Sequence, residues 1–215
     1  MKIGIFDSGI GGKAIADELK KSLGNAEIMI VDDHKNIPYG DKKTKEIIKL
    51  TDIAIQPLLK AECEIIILAC NTATTLAINS LRLKYPNQKF VGIEPMVKTA
   101  AKLTRSKIIT VCATPATLGS AKYKELVNKF GSNLKIIEPD CSSWAKMIED
   151  NQVNHMQISK IIEDVCNQGA DIIVLGCTHY YWIKKYITSA CKKRAKVIEP
   201  SRAVCRRVED LLKSC

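Results

Sequence analysis

Along the chain, short runs of consecutive apolar residues alternate with longer segments whose apolar positions recur every three or four residues. The first kind, at 2–6, 27–31, 64–69, 89–93, 107–111, 134–137, 171–175 and 195–198, predicts strands buried on both faces. The second kind, at 12–23, 43–60, 73–84, 96–104, 115–130, 154–168, 181–190 and 201–213, predicts amphipathic helices. Alternation of this kind belongs to a doubly wound α/β fold, in which helices cover both faces of a parallel sheet.

The pattern restarts half-way. Ile66–Thr72 reads IILACNT and Ile173–His179 reads IVLGCTH, and the offset between Cys70 and Cys177 nearly equals that between the strands at 3–6 and 108–111. Two similar α/β domains follow from this repetition. The boundary falls near Ile93-Glu94-Pro95, giving a first domain 1–93 and a second domain 94–199, with the last helix, 200–215, returning to complete the first. Parallel sheets bind ligands outside the carboxyl ends of their strands. Asp7, Cys70, Thr114 and Cys177 all stand at such ends, and if the two domains face each other both thiols look into one cleft.

Composition narrows the class of protein without adding chemistry. The 215 residues suffice for one large or two small cores, no apolar run reaches the length of a membrane span, and the first residues lack the apolar centre of a signal peptide, so a cytoplasmic protein without a membrane partner is expected. Nine cysteines without a CxxC pair read as reduced thiols; Cys63, Cys112, Cys166, Cys191, Cys205 and Cys215 are expected to pack as small apolar groups. The net charge of +10 comes from lysines scattered along predicted helices, with no aromatic residues interleaved to stack bases. That distribution argues against a nucleic-acid partner and for attraction of a small anionic substrate.

The two cysteines carry the most specific chemistry. A thiol at a helix N-terminus is more acidic than the usual value of about 8.5, because the helix dipole and free N–H groups favour the thiolate. A thiolate and a thiol on opposite sides of one carbon form a base and an acid, the requirement for inverting a stereocentre. Asn71, Thr72 and Thr178 supply amide and hydroxyl groups that either cap the helices or bind a carboxylate. His179, two residues after Cys177, can poise proton transfer there. Two other readings compete. Gly9-x-Gly11-x-x-Ala14 after a strand, with Asp32 or Asp33 following about 20 residues later, nearly forms a dinucleotide fingerprint, although Asp7 would repel a pyrophosphate. Cys70, Cys177 and His179 could hold zinc, but no paired spacing supports a complete ligand set, and no metal is expected.

Taken together, the segments IGIFDSGIGG at 3–12, IPYG at 37–40, ACNTA at 69–73, GIEP at 92–95, ATPAT at 113–117 and LGCTHY at 175–180, with a weaker tail at 197–204, resemble the glutamate racemases of the cofactor-independent aspartate/glutamate racemase superfamily. The resemblance implies two α/β domains related by a pseudo-twofold axis with the active site in the cleft between them. It also implies interconversion of L- and D-glutamate with no cofactor, the D-isomer serving bacterial peptidoglycan, and admits a homodimer. By motif, Cys70 and Cys177 would be the acid/base pair, assisted by Asp7 and His179, with Glu149 orienting His179. Asp7, Ser8, Pro38, Tyr39, Gly40, Asn71, Thr72, Thr114, Thr117, Thr178 and His179 would contact the amino acid. The chain departs from the family's pattern in three places: the Phe-Val-Pro core expected before Glu149 is absent, Asp32–Asn36 replaces the usual residues before the PYG, and Tyr181 stands where a proline is common. Its short length implies trimmed loops.

Overall fold

The structure, a computed structural model, describes residues 1–213. In chain order its elements are β1 (Lys2–Asp7), α1 (Gly12–Leu23), β2 (Glu27–Asp32), α2 (Thr44–Ala54), α3 (Gln56–Lys60), β3 (Ile65–Leu68), α4 (Asn71–Lys84), β4 (Lys89–Gly92) and α5 (Val97–Leu103). There follow β5 (Ile108–Ala113), α6 (Pro115–Gly119), α7 (Ala121–Phe130), β6 (Lys135–Ile137), α8 (Trp144–Glu149), α9 (His155–Asn167), β7 (Ile172–Gly176), α10 (Lys184–Ala190), β8 (Lys196–Ile198) and α11 (Ser201–Lys213). Single helical turns occupy His34–Asn36, Tyr39–Asp41 and Thr178–Tyr181.

All eight expected strands form, and they form two parallel four-stranded sheets, ordered β2-β1-β3-β4 and β6-β5-β7-β8. The chain divides into two compact units, Met1–Glu94 together with the segment from Pro200, and Pro95–Glu199. Both crossings from one unit to the other use the same dipeptide, Glu94-Pro95 and Glu199-Pro200.

In the first unit the central strands explain their own sequence. Ile65–Leu68 of β3 is buried at every position, as a strand covered on both faces must be, whereas the edge strand β2 has no fully buried position. α4 lies so close to β4 that a Cβ on Gly92 would stand 2.6 Å from Ile78 Cδ1 and Thr74 Cγ2. The same Thr74, fully buried, donates its hydroxyl to the Leu68 carbonyl at 2.9 Å and accepts the Ile93 N–H at 3.1 Å, tying the ends of β3 and β4 together. Thr74→Val keeps the shape and orphans both backbone groups, so urea unfolding should show a loss of about 2–4 kcal/mol; a loss below about 0.5 kcal/mol would contradict this role. α11 packs beside α1 with Val204, Cys205 and Val208 buried at helical spacing, and Arg202 lies 3.7 Å from Glu18.

The second unit repeats this plan around a core of Val97, Ala100, Ile109, Val111, Tyr123, Ile172, Val174 and Ile198. Three expected helices take a different form, each for a local reason. The segment 43–60 breaks at Ile55, because Pro57 lacks the N–H needed to continue α2 and instead occupies the first turn of α3. The segment 115–130 breaks at Ser120, whose extended backbone ends α6 and whose hydroxyl caps α7 by accepting the Tyr123 N–H at 3.2 Å. The segment 181–190 begins as a helix only at Lys184, since Thr178–Tyr181 forms a separate turn. α8 has no counterpart among the expected helices. The eight described cysteines are buried free thiols, and Cys215 lies outside the described residues.

Candidate active site

The first unit gathers its predicted site residues at the carboxyl ends of β1 and β3. Cys70 follows β3 with an extended backbone and caps α4, its sulfur receiving the Ala73 N–H at 3.5 Å. The Ser8 hydroxyl, from the loop after β1, donates to the same sulfur at 3.2 Å. Two donors aimed at sulfur favour the thiolate over a neutral acceptor, as charge-assisted bonds do. Asp7 is fully buried, and its Oδ1 accepts the Gly9 N–H at 2.8 Å. The carboxylate therefore takes a loop N–H that a pyrophosphate would need, which removes the dinucleotide reading of Gly9–Ala14.

Asn71 and Thr72 follow Cys70 in the first turn of α4, both almost wholly buried. Neither polar atom of the Asn71 amide has a hydrogen-bond partner among the described residues. Pro38 and Gly40 are half-buried and flank Tyr39, which is buried against Phe6 with ring centroids 6.2 Å apart. The Tyr39 hydroxyl donates to Asp33 Oδ2 at 2.7 Å, and the Asn36 amide donates to both oxygens of that carboxylate. Burial above all, then the bond to Asp33 and the nearby Cys70 sulfur, pushes the Tyr39 phenol far above its ordinary value, so it stays neutral.

The second unit has its own cluster at the ends of β5 and β7. Cys177 follows Gly176, where an added Cβ would lie 2.9 Å from Ala113 Cβ and 3.2 Å from the Cys112 carbonyl oxygen; glycine permits β7 to run this close to β5. Cys177 is 7% exposed and its sulfur lies 3.7 Å from His179 Nδ1. His179 Nε2 pairs with Glu149 Oε1, and both side chains are buried. A carboxylate on Nε2 favours a proton there, an arrangement in which Nδ1 can exchange a proton with the sulfur. Thr178 is buried beside them. Thr114 caps α6, accepting the Thr117 N–H at 3.3 Å and donating to Thr117 Oγ1 at 3.0 Å, so these two threonines form one buried pair.

Among the described residues no three His, Cys, Asp or Glu side chains converge to hold a metal ion, and no helix is long and apolar enough to cross a membrane. The predicted site residues are divided between the two units, Asp7, Ser8, Pro38–Gly40 and Cys70–Thr72 in the first, Thr114, Thr117, Glu149 and Cys177–His179 in the second. Sequence reasoning missed Asp33 as the anchor of Tyr39, and it missed Tyr180, whose hydroxyl donates to the Cys141 carbonyl at 2.8 Å. The first could have been noticed from Asp33-x-x-Asn36-x-x-Tyr39; nothing local announces the second.

The family of Asp/Glu/hydantoin racemases matches residues 13–208. The chain belongs to this family. Among other members, the glutamate racemase of Clostridium botulinum is 41% identical over 147 residues, covering 68% of this chain and 57% of that protein. The chain thus spans little more than half the length of that relative. The crystal structure of a glutamate racemase from Francisella tularensis, a complex with D-glutamate, superimposes with a TM-score of 0.82 at 29% identity over 99% of this chain and 81% of the other. A glutamate racemase isoform from Bacillus anthracis shares the fold with a TM-score of 0.85, at 24% identity and with coverage of 99% and 81%. These Asp/Glu racemase structures have the same two-domain α/β architecture as the fold expected from the sequence.

Proposed function

We propose that this chain is a cytoplasmic glutamate racemase that interconverts the L- and D-isomers without a cofactor and supplies D-glutamate for peptidoglycan. The observation that carries this reading is the repetition of chemistry at equivalent places: each sheet ends its third strand in a buried thiol, Cys70 after β3 and Cys177 after β7. The names of the curated relatives and the D-glutamate bound to the Francisella enzyme support glutamate as the substrate.

In this mechanism one cysteine thiolate takes the Cα proton from one face and the other thiol gives its own proton to the opposite face. The pair of thiols ends with the proton transferred between them, and the substrate is inverted with no net gain or loss. The Cα–H bond is weakly acidic, so the developing negative charge must be met by donors placed for it. Ser8, Asn71, Thr72 and Thr178 are the side chains we assign to the α-carboxylate, the Thr114–Thr117 pair and Tyr39 to the remainder of the amino acid. Ser8 and Ala73 N–H serve the Cys70 sulfur, and His179 backed by Glu149 serves Cys177.

Incubation with L-glutamate in D2O should abolish the circular dichroism of the amino acid and place deuterium at Cα, with L-aspartate reacting far more slowly. Glutamate that stays optically pure and protonated in the presence of folded protein would overturn the reading.

A further inference from the structure

α8, the element without a sequence signal, carries Glu149 at its last position. It is held by the turn Thr178–Tyr181 at both of its ends. At the far end Glu149 meets His179 Nε2. At the near end Trp144, fully buried, packs edge-on against Tyr180 with ring centroids 5.2 Å apart. The Tyr180 hydroxyl then donates to the Cys141 carbonyl at 2.8 Å, and that same carbonyl accepts the Trp144 N–H at 3.1 Å, the bond that opens α8. Trp144, Ala145, Ile148 and Glu149 share one face of the helix, and the first three are buried. Two adjacent side chains of one turn thus grip a six-residue helix at its start and its finish, and such a helix has no stability of its own.

We propose that Tyr180 is a positioning residue for proton transfer at Cys177: by fastening the start of α8 through Cys141 and Trp144, it sets the reach of Glu149 to His179. This rests on the assignment of Cys177 and His179 to racemisation. The Tyr180 hydroxyl donates to the Cys141 carbonyl rather than to a reacting atom, and its role runs through Glu149. A helix free to slide by a fraction of an ångström would leave the imidazole without a fixed proton on Nε2, and Nδ1 would lose its constant role toward the sulfur. Trp144 occupies the stretch where the Phe-Val-Pro core of the family's motif is absent, and it supplies the packing through which this grip works.

Tyr180→Phe is a clean probe, because the Cys141 carbonyl keeps its bond to Trp144 N–H and no buried acceptor is orphaned. Expected is a fall in kcat of about tenfold with KM within about twofold. The pH profile should shift in the same sense as that of Glu149→Gln. Tyr180→Phe combined with Glu149→Gln should be no slower than Glu149→Gln alone, since both changes remove the same support. Additive losses, or an unaltered pH profile, would overturn the proposal. If Tyr180→Phe fails to fold, Trp144→Phe is subjected to the same cycle with the same expectations. Ring-nitrogen NMR of the three histidines gives a readout independent of turnover. The signal lost in His179→Gln should report a single tautomer protonated at Nε2 in the native chain and a mixture in Tyr180→Phe. Native-like NMR in the variant sinks the positioning role even if racemisation stands, and an altered tautomer in a protein that does not racemise glutamate upholds it while the functional reading fails.

Discussion

Cys70→Ser and Cys177→Ser should each lower the racemisation kcat by at least about 10³-fold, the middle of the range that one acid/base group contributes. Serine keeps the size and the hydrogen bonds but is a far weaker acid than cysteine, so the variant can neither hold a basic anion at neutral pH nor give up a proton readily. The two variants should differ in a revealing way. A chain with one working thiol can still remove a proton from the single enantiomer that faces it and return deuterium from solvent to the same side. Each variant should therefore exchange Cα–H of one enantiomer of glutamate and leave the other untouched, with the preference reversed between the two. Mass spectrometry of each enantiomer after incubation in D2O reads this directly. Full racemisation by either variant would show that a single base suffices and would discard the paired mechanism.

Asn71→Ala should separate activity from stability. The Asn71 amide is 2% exposed, and neither its nitrogen nor its oxygen is bonded to the described protein. Burying such a group costs about 1–3 kcal/mol, and alanine at the start of α4 removes that cost while favouring the helix. The variant should unfold in urea at the same concentration as the parent or higher. Its kcat/KM for glutamate should nevertheless fall about 10²-fold, the loss expected when one donor to a developing charge is deleted. This combination is characteristic of a group held for a ligand, whereas a structural amide would lose stability and a solvated one would lose neither. Unchanged kcat/KM would remove Asn71 from the site.

The sequence carried the parts of the fold that depend on periodicity. Every strand was visible because buried parallel strands are written as runs such as Ile65–Leu68, and α11 was visible because Val204, Cys205 and Val208 mark one face. Breaks within helical segments were harder to see. At Pro57 the signal existed in the missing N–H, yet the apolar period continues across it; at Ser120 the capping role depends on a backbone angle that one serine does not announce. α8 was invisible since six residues make fewer than two turns and three polar-to-small residues, Cys141-Ser142-Ser143, precede it. The positions of the thiols were legible because strand, cysteine and polar tip are contiguous. Contacts made at a distance along the chain were less so. Glu149 meets His179 across 30 residues and could be suggested only through resemblance, and Tyr180 meets the Cys141 carbonyl across 39, where no pattern of residue types specifies a backbone acceptor.

The two Glu-Pro crossings have a consequence for synthesis. Residues 95–199 are contiguous and comprise a whole sheet with its helices, whereas the first unit is interrupted and needs α11, which beyond Pro200 is the last described element of the chain. On the ribosome the inner unit can therefore finish while the outer one still waits with the flank of α1 uncovered. The thiol of Cys177 is in place before the sheet that carries Cys70 has α11 beside it, so the unit begun first still lacks a helix when the second sheet is whole.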